Sequence, residues 1–587
     1  MILQALDGYY QRQRARNALA PAGFEPKPIP FVVVINGAGQ LVQIDDTRSG
    51  AGKQRQAMTF LVPQGVKKTS GVAANLLWDT AEYALGIDSR GNPERVGKQH
   101  AAFKARLDEL HAAGDDPGLR ALHQFLSAVD LSRLEQEPAW AEIRETNPVV
   151  SFRLSDDVEA LICQRPAISA ITAGNPEAMD DAAGFCLVTG SSDAIARLHP
   201  AIKGVWGAQT SGANIVSFNL DAFNSYAKQQ GGNAPVGERA AFNYTTALNH
   251  LLRKGSAQRM QVGDASTVFW AAGDTSLEEG FSSLFGGEPK DDDPDRGSHA
   301  VRNLYASIHN GVYVGEDAET EFFVLGLAPN AARLAIRFWH HARVKDIALA
   351  VHQHHADLKI VHAGFEKDYL SLFRLLVSTA VLGKSENIPP NLGGDTIRAI
   401  LSQTPYPAAL LQAAVRRCRA ERAITYPRAS LIKASLNRLI RNASLPGKEL
   451  TVSLDRDNAS PGYCLGRLFS VLEKLQQDAQ PGINATILDR YYGAASSAPA
   501  TVFPILLKLK NHHLSKVKGE RKGAAVRFEK LIGEIVDKIS GFPSRLNLQE
   551  QGLFAIGYYH QQQSFYASKK DAAESGATIE ETTGEET

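Results

Sequence analysis

Cysteine is scarce: Cys163, Cys186, Cys418 and Cys464 are the only four in 587 residues, and none forms a Cys-x-x-Cys pair. A disulfide framework or a cysteine zinc site is therefore not expected, and a reducing cytoplasm is the simpler setting. Net charge is absent as well, because 63 Lys and Arg are balanced by 63 Asp and Glu. Bulk charge thus does not announce a nucleic-acid binder. No apolar run approaches the ~18–20 residues of a membrane span. The N-terminal MILQALDGYYQRQRARNALA lacks a signal-peptide core, since Asp7 and the Gln/Arg run interrupt it. Leu3, Leu6 and Tyr10 instead predict a short amphipathic helix.

Catalytic signatures are missing in the same way. A phosphate loop around Gly52-Lys53 would need Gly at Thr47 and a hydroxyl at Gln54, so RSGAGKQRQ reads as a mobile basic loop. His340, His341, His352, His354, His355 and His362 crowd one stretch, yet no HExxH pattern accompanies them, and surface histidines are the default. Asp264 and Asp274 adjoin Gly263 and Gly273, where Asp is an ordinary turn residue. Ser217 lacks a Gly-x-Ser-x-Gly setting. No nucleophile with base and orienter emerges, and neither a metal nor a cofactor is expected.

The length implies several domains. Strands are expected at Phe31–Ile35, Gln40–Ile44, Thr59–Val62, Val149–Leu154, Phe185–Thr189 and Thr267–Trp270. Two more, Thr320–Leu325 and Arg333–Trp339, flank a Pro329-Asn330 turn. Gln99–Leu134 and Arg343–Asp357 read as helical, and another helix is expected near Ile195. FSSLFGGEPKDDDPDRGSH reads as an exposed loop. Beyond Lys367 nearly everything has helical spacing, for instance Leu465, Leu468, Leu472 and Leu475. The expected fold class is α+β and multidomain, with a mixed α/β N-terminal portion followed by a C-terminal helical bundle. The expected parts are 1–365 mixed α/β, 366–460 helical and basic, 461–570 a helical bundle, and 571–587 a disordered acidic tail.

One stretch stands out. Ser211 to Lys254 is dense in uncharged hydrogen-bonding side chains: Asn214, Ser217, Asn219, Asn224, Ser225, Gln229, Gln230, Asn233, Asn243 and Asn249. Phe218, Phe223, Tyr226, Phe242 and Tyr244 are interleaved. A half-buried strand is expected over Asn214–Asn219 and a short helix over Asp221–Gln230. A second helix should be capped by Asn233, with Pro235 in its first turn and Ala241, Tyr244, Leu248 and Leu251 on one face. A second polar segment, Lys67, Lys68, Thr69, Ser70, Gly71 and Asn75, offers phosphate or groove contacts.

Charge is segregated although its sum vanishes. From Leu411 to Asn442, eight basic residues including Arg416, Arg417 and Arg419 face Glu421 alone. From Thr501 to Lys530, Lys508, Lys510, Lys516, Lys518, Arg521, Lys522, Arg527 and Lys530 face only Glu520 and Glu529. Two such runs in one half of the chain suit a polyanion-binding surface.

Ordered blocks along nearly the whole chain resemble the large subunit of type I-C CRISPR surveillance complexes (Cascade). They include MILQALDGYY, KKTSGVAANLLWD from Lys67, and HPAIKGVWGAQTSGANIVSFNLDAFNSYAKQQGGNAPVGERAAFNYTTALN from His199. FFVLGLAPNAARLAIRFW from Phe322, LGRLFSVLEKLQ from Leu465, DRYYGAASSAPATVFPILLKL from Asp489 and LNLQEQGLFAIGYYHQQQ from Leu546 complete them. One departure is Ala227, where the family leads one to expect Gly. The resemblance implies a chain without nuclease activity that recognises the protospacer-adjacent motif in double-stranded DNA. It would help open the duplex into an R-loop, hold the displaced strand and recruit a helicase-nuclease, while the guide RNA reads the sequence. Implied partners are guide RNA, target DNA, backbone and RNA-end-binding Cascade subunits and small subunits, in a prokaryotic cytoplasm, with no membrane. The C-terminal part would resemble a small subunit.

With that resemblance, Lys67, Lys68, Thr69, Ser70, Gly71, Asn75, Asn214, Ser217, Asn219, Asn224, Tyr226, Gln229, Gln230 and Asn233 are expected to read the motif and duplex. Arg416, Arg417, Arg419, Lys508, Lys510, Lys516, Lys518, Arg521, Lys522 and Arg527 are expected along the displaced strand. The rival readings are a stand-alone metal-dependent nucleic-acid enzyme using His352, His355, Asp264 or Asp274, and a helical scaffold for protein partners.

Overall fold

The computed structural model describes residues 1–16, 18–50, 55–66, 71–89, 91–114, 116–166, 168, 183–285, 308–309, 312–313, 315 and 317–566. The acidic tail 571–587 and all of 286–299 lie outside the described residues, whereas the start of the expected exposed loop, Phe281 to Phe285, ends helix Ser276–Phe285 with both phenylalanines buried. The chain divides into two compact units, Met1–Pro200 with Val216–His250, and Ala201–Ile215 with Leu251–Thr587. The boundaries drawn at 365/366 and 460/461 both fall within the second unit. The mixed α/β N-terminal portion and the C-terminal helical bundle are both present.

In the first unit, β1 (Phe24–Pro28) pairs with β4 (Thr59–Pro63). β2 (Phe31–Ile35), β3 (Leu41–Asp46), β5 (Trp78–Thr80) and β6 (Val149–Leu154) form a sheet in the order β3-β2-β6-β5. FVVVI of β2 is apolar throughout because both its faces are covered, and all five residues are buried. Helices Pro93–Ala113 and Pro117–Ser127 carry Phe103, Leu107, Leu119, Leu122 and Phe125 into the same core as Phe31, Val33 and Phe152. Each starts where the sequence dictates. Asn92 accepts the Arg95 N–H, Asp116 accepts those of Gly118 and Leu119, and a proline follows each cap. The N-terminal helix, Ile2–Ala15, sets Tyr10 edge-on to Phe242 of helix Glu238–Leu252. Near 185 the expectation fails. β7 (Ala183–Phe185) and β8 (Ser192–Ala194) form a small hairpin, and no helix follows at Ile195.

In the second unit, β9 (Arg259–Val262) and β10 (Ala265–Ala271) join a long hairpin, after a minor pair β11 (Ile308–His309) and β12 (Val312–Tyr313). That hairpin is β13 (Glu321–Asn330) and β14 (Arg333–Arg343), giving the antiparallel order β14-β13-β10-β9. Its turn lies at Ala331, with φ +53°, and not at Pro329-Asn330, which still pair with Leu334 and Arg333. Gly326 is required in β13: a Cβ there would overlap the Phe338 ring.

The bundle is organised around helix Pro461–Ala479, which packs on Leu548–Ser564, Pro499–Glu520 and Lys522–Val536. Gly466 and Gly557 let the first pair approach closely. A Cβ on either would overlap a backbone carbonyl of the other helix, Phe554 or Tyr463 respectively. A short helix absent from the sequence reading, Ile487–Ala495, opens with a Thr486–Asp489 capping box. Among the described residues no helix is long and apolar enough to cross a membrane. All four cysteines are free and buried.

Candidate nucleic-acid interface

The first candidate segment is only partly visible. Lys67, Lys68, Thr69 and Ser70 lie outside the described residues. Gly71 is exposed with open space at its Cα. Asn75 is buried, and its Oδ1 accepts the Val66 N–H at 2.9 Å, while its own N–H donates to Asp79 Oδ2 at 2.8 Å. Asn75 therefore ties together the chain on the two sides of Lys67–Ser70. Its amide oxygen is committed to that clamp.

The Asn/Gln-rich stretch differs in form from the expectation. Residues 215–220 pair with no strand; only Ala213 and Asn214 make isolated bridges, to Ile202 and Arg333. Asn214 belongs to the second unit, whereas Ser217, Asn219, Asn224, Tyr226, Gln229, Gln230 and Asn233 belong to the first. Asp221–Gln230 is not a helix either. One 3-10 turn, Asp221–Phe223, is followed by extended chain and by left-handed backbone at Tyr226 and Ala227 (φ +52° and +57°). The cause is Asn233. Its Oδ1 accepts the Ser225 N–H at 2.9 Å, and its Nδ2 donates to Asn224 Oδ1 and to the carbonyls of Lys228 and Gln230 at 3.0–3.3 Å. An amide that serves four neighbours competes directly with helical bonding. Asn233 is thus the strut of this loop and not a helix cap; the helix begins at Glu238.

The loop presents Asn219, Asn224, Tyr226 and Gln229 to solvent, with Tyr226 at 95% exposure. Ser217 is half-buried, and Gln230 accepts from Arg197 Nε at 2.6 Å. Gly231 seats the loop: a Cβ there would overlap the Ala196 carbonyl. Beneath, the expected apolar face of the following helix is correct: Ala241, Tyr244, Leu248 and Leu251 are buried. The Tyr244 hydroxyl lies 2.6 Å from His199 Nδ1, and burial pushes the phenol upward and the imidazole downward in pKa.

The two basic runs separate in the structure. Much of the Leu411–Asn442 run points inward. Arg428 and Arg438 are buried, as is Lys433, whose amine is pushed down to about 8 by burial. Arg438 Nε meets Asp357 Oδ2 at 2.8 Å and its guanidinium lies over the Tyr406 ring; Arg441 also reaches Asp357, at 2.8 Å. Arg417 pairs with Glu421, and Arg419 reaches Gln551 at 3.4 Å. Arg416 and Arg419 remain exposed.

The Thr501–Lys530 run behaves otherwise. It lies on helices Pro499–Glu520 and Lys522–Val536, which pack on each other and bury Val502, Leu506, Leu514, Val517, Phe528 and Ile532 in the bundle core. Lys508, Lys516, Lys518, Lys522, Arg527 and Lys530 are all exposed on the opposite faces, and Lys510 is half-buried. Arg521 sits between the helices, 3.6 Å from Asp478. A cleft of about 670 Å³ in the first unit has a different character, lined by Asp45, Asp46, Glu137 and Glu159 with Arg153. Arg48 holds the Asp46 carboxyl down to about 2, so this cleft stays anionic and does not suit a polyanion.

The tempting histidines are accounted for differently. His354 and His355 are buried, contrary to the surface default, and burial pushes His355 down to about 4. His354 Nδ1 is 2.5 Å from the Tyr406 hydroxyl. Asp264 pairs with Arg337 at 2.9 Å and accepts the Asn391 N–H. Among the described residues no three His, Cys, Asp or Glu side chains are grouped to hold a metal ion.

Compared with known proteins, the chain matches a family model described as CRISPR-associated protein (Cas_Csd1) over residues 6–566. No curated protein matches it.

Proposed function

The chain belongs to the Cas_Csd1 family of CRISPR-associated proteins, and on that premise we propose that it is the non-catalytic large subunit of a type I-C surveillance complex (Cascade). In this reading it recognises the protospacer-adjacent motif, helps open the duplex and holds the displaced strand. It works with guide RNA, backbone, RNA-end-binding and small subunits, and it recruits the helicase-nuclease.

The observation that carries the reading is the exposed lysine and arginine set on Pro499–Glu520 and Lys522–Val536. A fixed row of cations on packed helices tracks a phosphate backbone without reading its bases. Motif reading falls to the loop braced by Asn233 and to the segment clamped by Asn75, whose amides and hydroxyls can pair with base edges. Asn75 and Asn233 then act by shaping their loops, and Asn219, Asn224, Tyr226 and Gln229 are the groups offered to DNA.

The test is fluorescence anisotropy of the full chain on a forked DNA duplex across a salt series. Binding that weakens steeply with salt is expected, and the Lys508→Glu, Lys516→Glu double variant should bind markedly less. Binding that ignores both salt and the charge reversal would refute the reading. Specific DNA cleavage by the purified chain with added divalent metal would refute its non-catalytic part.

A further inference from the structure

Of the five tryptophans, Trp78, Trp140 and Trp270 are buried and Trp339 is half-buried, but Trp206 is 63% exposed. Its loop, within the second unit, is firmly built. Ile202 and Ala213 exchange both backbone hydrogen bonds at 2.9 Å and close the neck. Inside it, the Ala208 N–H donates to the Val205 carbonyl at 3.1 Å and the Gly212 N–H to the Gln209 carbonyl at 2.9 Å. The Trp206 N–H itself donates at 2.9 Å to Ser266 Oγ on β10, and Val205 beside it is buried. Gly204, Gly207 and Gly212 adopt φ of +87°, +77° and +94°, a backbone path that side chains resist. The indole is held outward by a fixed backbone; it is not a stray side chain on a loose tip.

The surroundings select what the ring meets. Residues 201–215 contain no Asp or Glu. Lys203 is in the loop, and Gly204 sits against Leu252 so closely that a Cβ would stand 2.7 Å from its carbonyl. That carbonyl also accepts from Arg259 Nη1 at 2.8 Å, and Arg253 and Lys254 follow it in the chain. Gln209, Thr210 and Ser211 add uncharged donors and acceptors to the same loop. An exposed aromatic ring in a loop that carries a lysine and no carboxylate, and that rests at Gly204 against a segment running on into Arg253 and Lys254, is a combination suited to unstacked bases and their phosphates. An apolar protein face would use the indole but would have no need of the cations.

We infer that Trp206 is a stacking platform for an unpaired nucleobase of a single-stranded nucleic acid, with Lys203 and the Arg253-Lys254 pair meeting the adjoining phosphates. This rests on the nucleic-acid-binding role proposed above. It adds to that role a kind of contact that neither the amide loop nor the lysine helices supply.

The test uses the full chain with three probes: a thymidine oligodeoxynucleotide, a uridine oligoribonucleotide and a DNA duplex. Trp206→Ala should bind single strands about tenfold more weakly, because base–aromatic stacking contributes on that scale, while Trp206→Phe should retain most of the affinity. Indole emission of the wild-type chain should be quenched by single strands, and that quenching should vanish in Trp206→Phe. Comparison of the two single-strand probes assigns the base to DNA or RNA, and the duplex should quench least. The thermal midpoint of both variants should match the wild type, since the ring is mostly in solvent. If anisotropy shows single strands binding with unchanged emission and unchanged Trp206→Ala affinity, the stacking inference is overturned while the binding role stands, and the loop is left to a protein partner. If no probe binds, both fall.

Discussion

At the residue scale, the buried histidines make a pH prediction. His560 is pushed down to about 3, chiefly by burial, with Lys433 adding repulsion, and its Nδ1 lies 2.9 Å from the Tyr463 hydroxyl. In the unfolded chain it titrates near 6.5. The neutral ring therefore contributes its stability in full above pH 6.5, and the contribution is lost as pH falls toward 3. His355, at about 4, follows the same sign. Each should withdraw about 2 kcal/mol by about pH 5. A thermal-melting series from neutral to acid pH should show this decline, and His560→Gln should flatten it. A flat profile in the wild type would contradict the burial assignment.

Asp357 makes a second residue-scale prediction. It is 1% exposed and meets both Arg438 and Arg441. Arg438→Met leaves one carboxylate buried with half its compensation and should destabilise by about 3–5 kcal/mol. Arg441, whose side chain is 35% exposed, can be replaced by water, so Arg441→Met should matter less. Urea unfolding of the two variants measures the difference, and equal losses would contradict the geometry.

At the element scale, the close helix pair and the Asn-rich loop are the informative cases. Gly466→Val places a branched side chain against the Phe554 carbonyl and should cost about 2–3 kcal/mol, seen as a lower urea midpoint. For the loop, Asn233→Ala removes the acceptor for Ser225 and the donor to Lys228 and Gln230. Limited proteolysis should then cut between residues 221 and 233 much faster, with the rest of the chain unaffected. Ala227→Gly should have the opposite effect, because the left-handed backbone at Ala227 disfavours a Cβ by roughly 1 kcal/mol. The resemblance had singled out this position as an expected glycine, and the φ value supplies the reason. Expecting a helix over Asp221–Gln230 failed because the Asn233 side chain, only three to nine residues from its partners, offers the backbone hydrogen bonds that compete with helical ones.

At the scale of the whole molecule, charge and core can be weighed separately. Net neutrality hides one exposed basic face, so DNA association should follow local rather than bulk charge. Removing two of its lysines should lower the salt slope for single strands by roughly 1.4, read as log affinity against log salt. The helical core runs on across Pro461, since a Cβ added at Gly552 would stand 3.3–3.6 Å from the Ile432, Leu436 and Leu411 side chains and the Tyr559 hydroxyl donates to the Val361 carbonyl. A fragment beginning at Pro461 should therefore be helical by circular dichroism yet melt well below the full chain. Equal melting would show that this contact surface adds nothing.

The sequence by itself determined the elements with strong period or composition: the FVVVI strand and the bundle helices with their leucine spacing, whereas the single helical stretch expected over Gln99–Leu134 is divided into Pro93–Ala113, Pro117–Ser127 and Leu131–Leu134 by caps it did not foresee. It also determined the family, because many ordered blocks coincide. Those signals are local, and each residue's contribution depends on near neighbours along the chain. Tertiary structure decided which charges face water. Arg428, Lys433 and Arg438 look like Lys508, Lys516 and Lys522 in the sequence, yet the first three are buried against partners 50 or more residues away and the second three are exposed. It also decided that Asn75 and Asn233 brace their loops, and that Trp206 stands outward. A side chain's role follows from whether its partner is another part of the fold or the solvent, and long-range packing sets that choice.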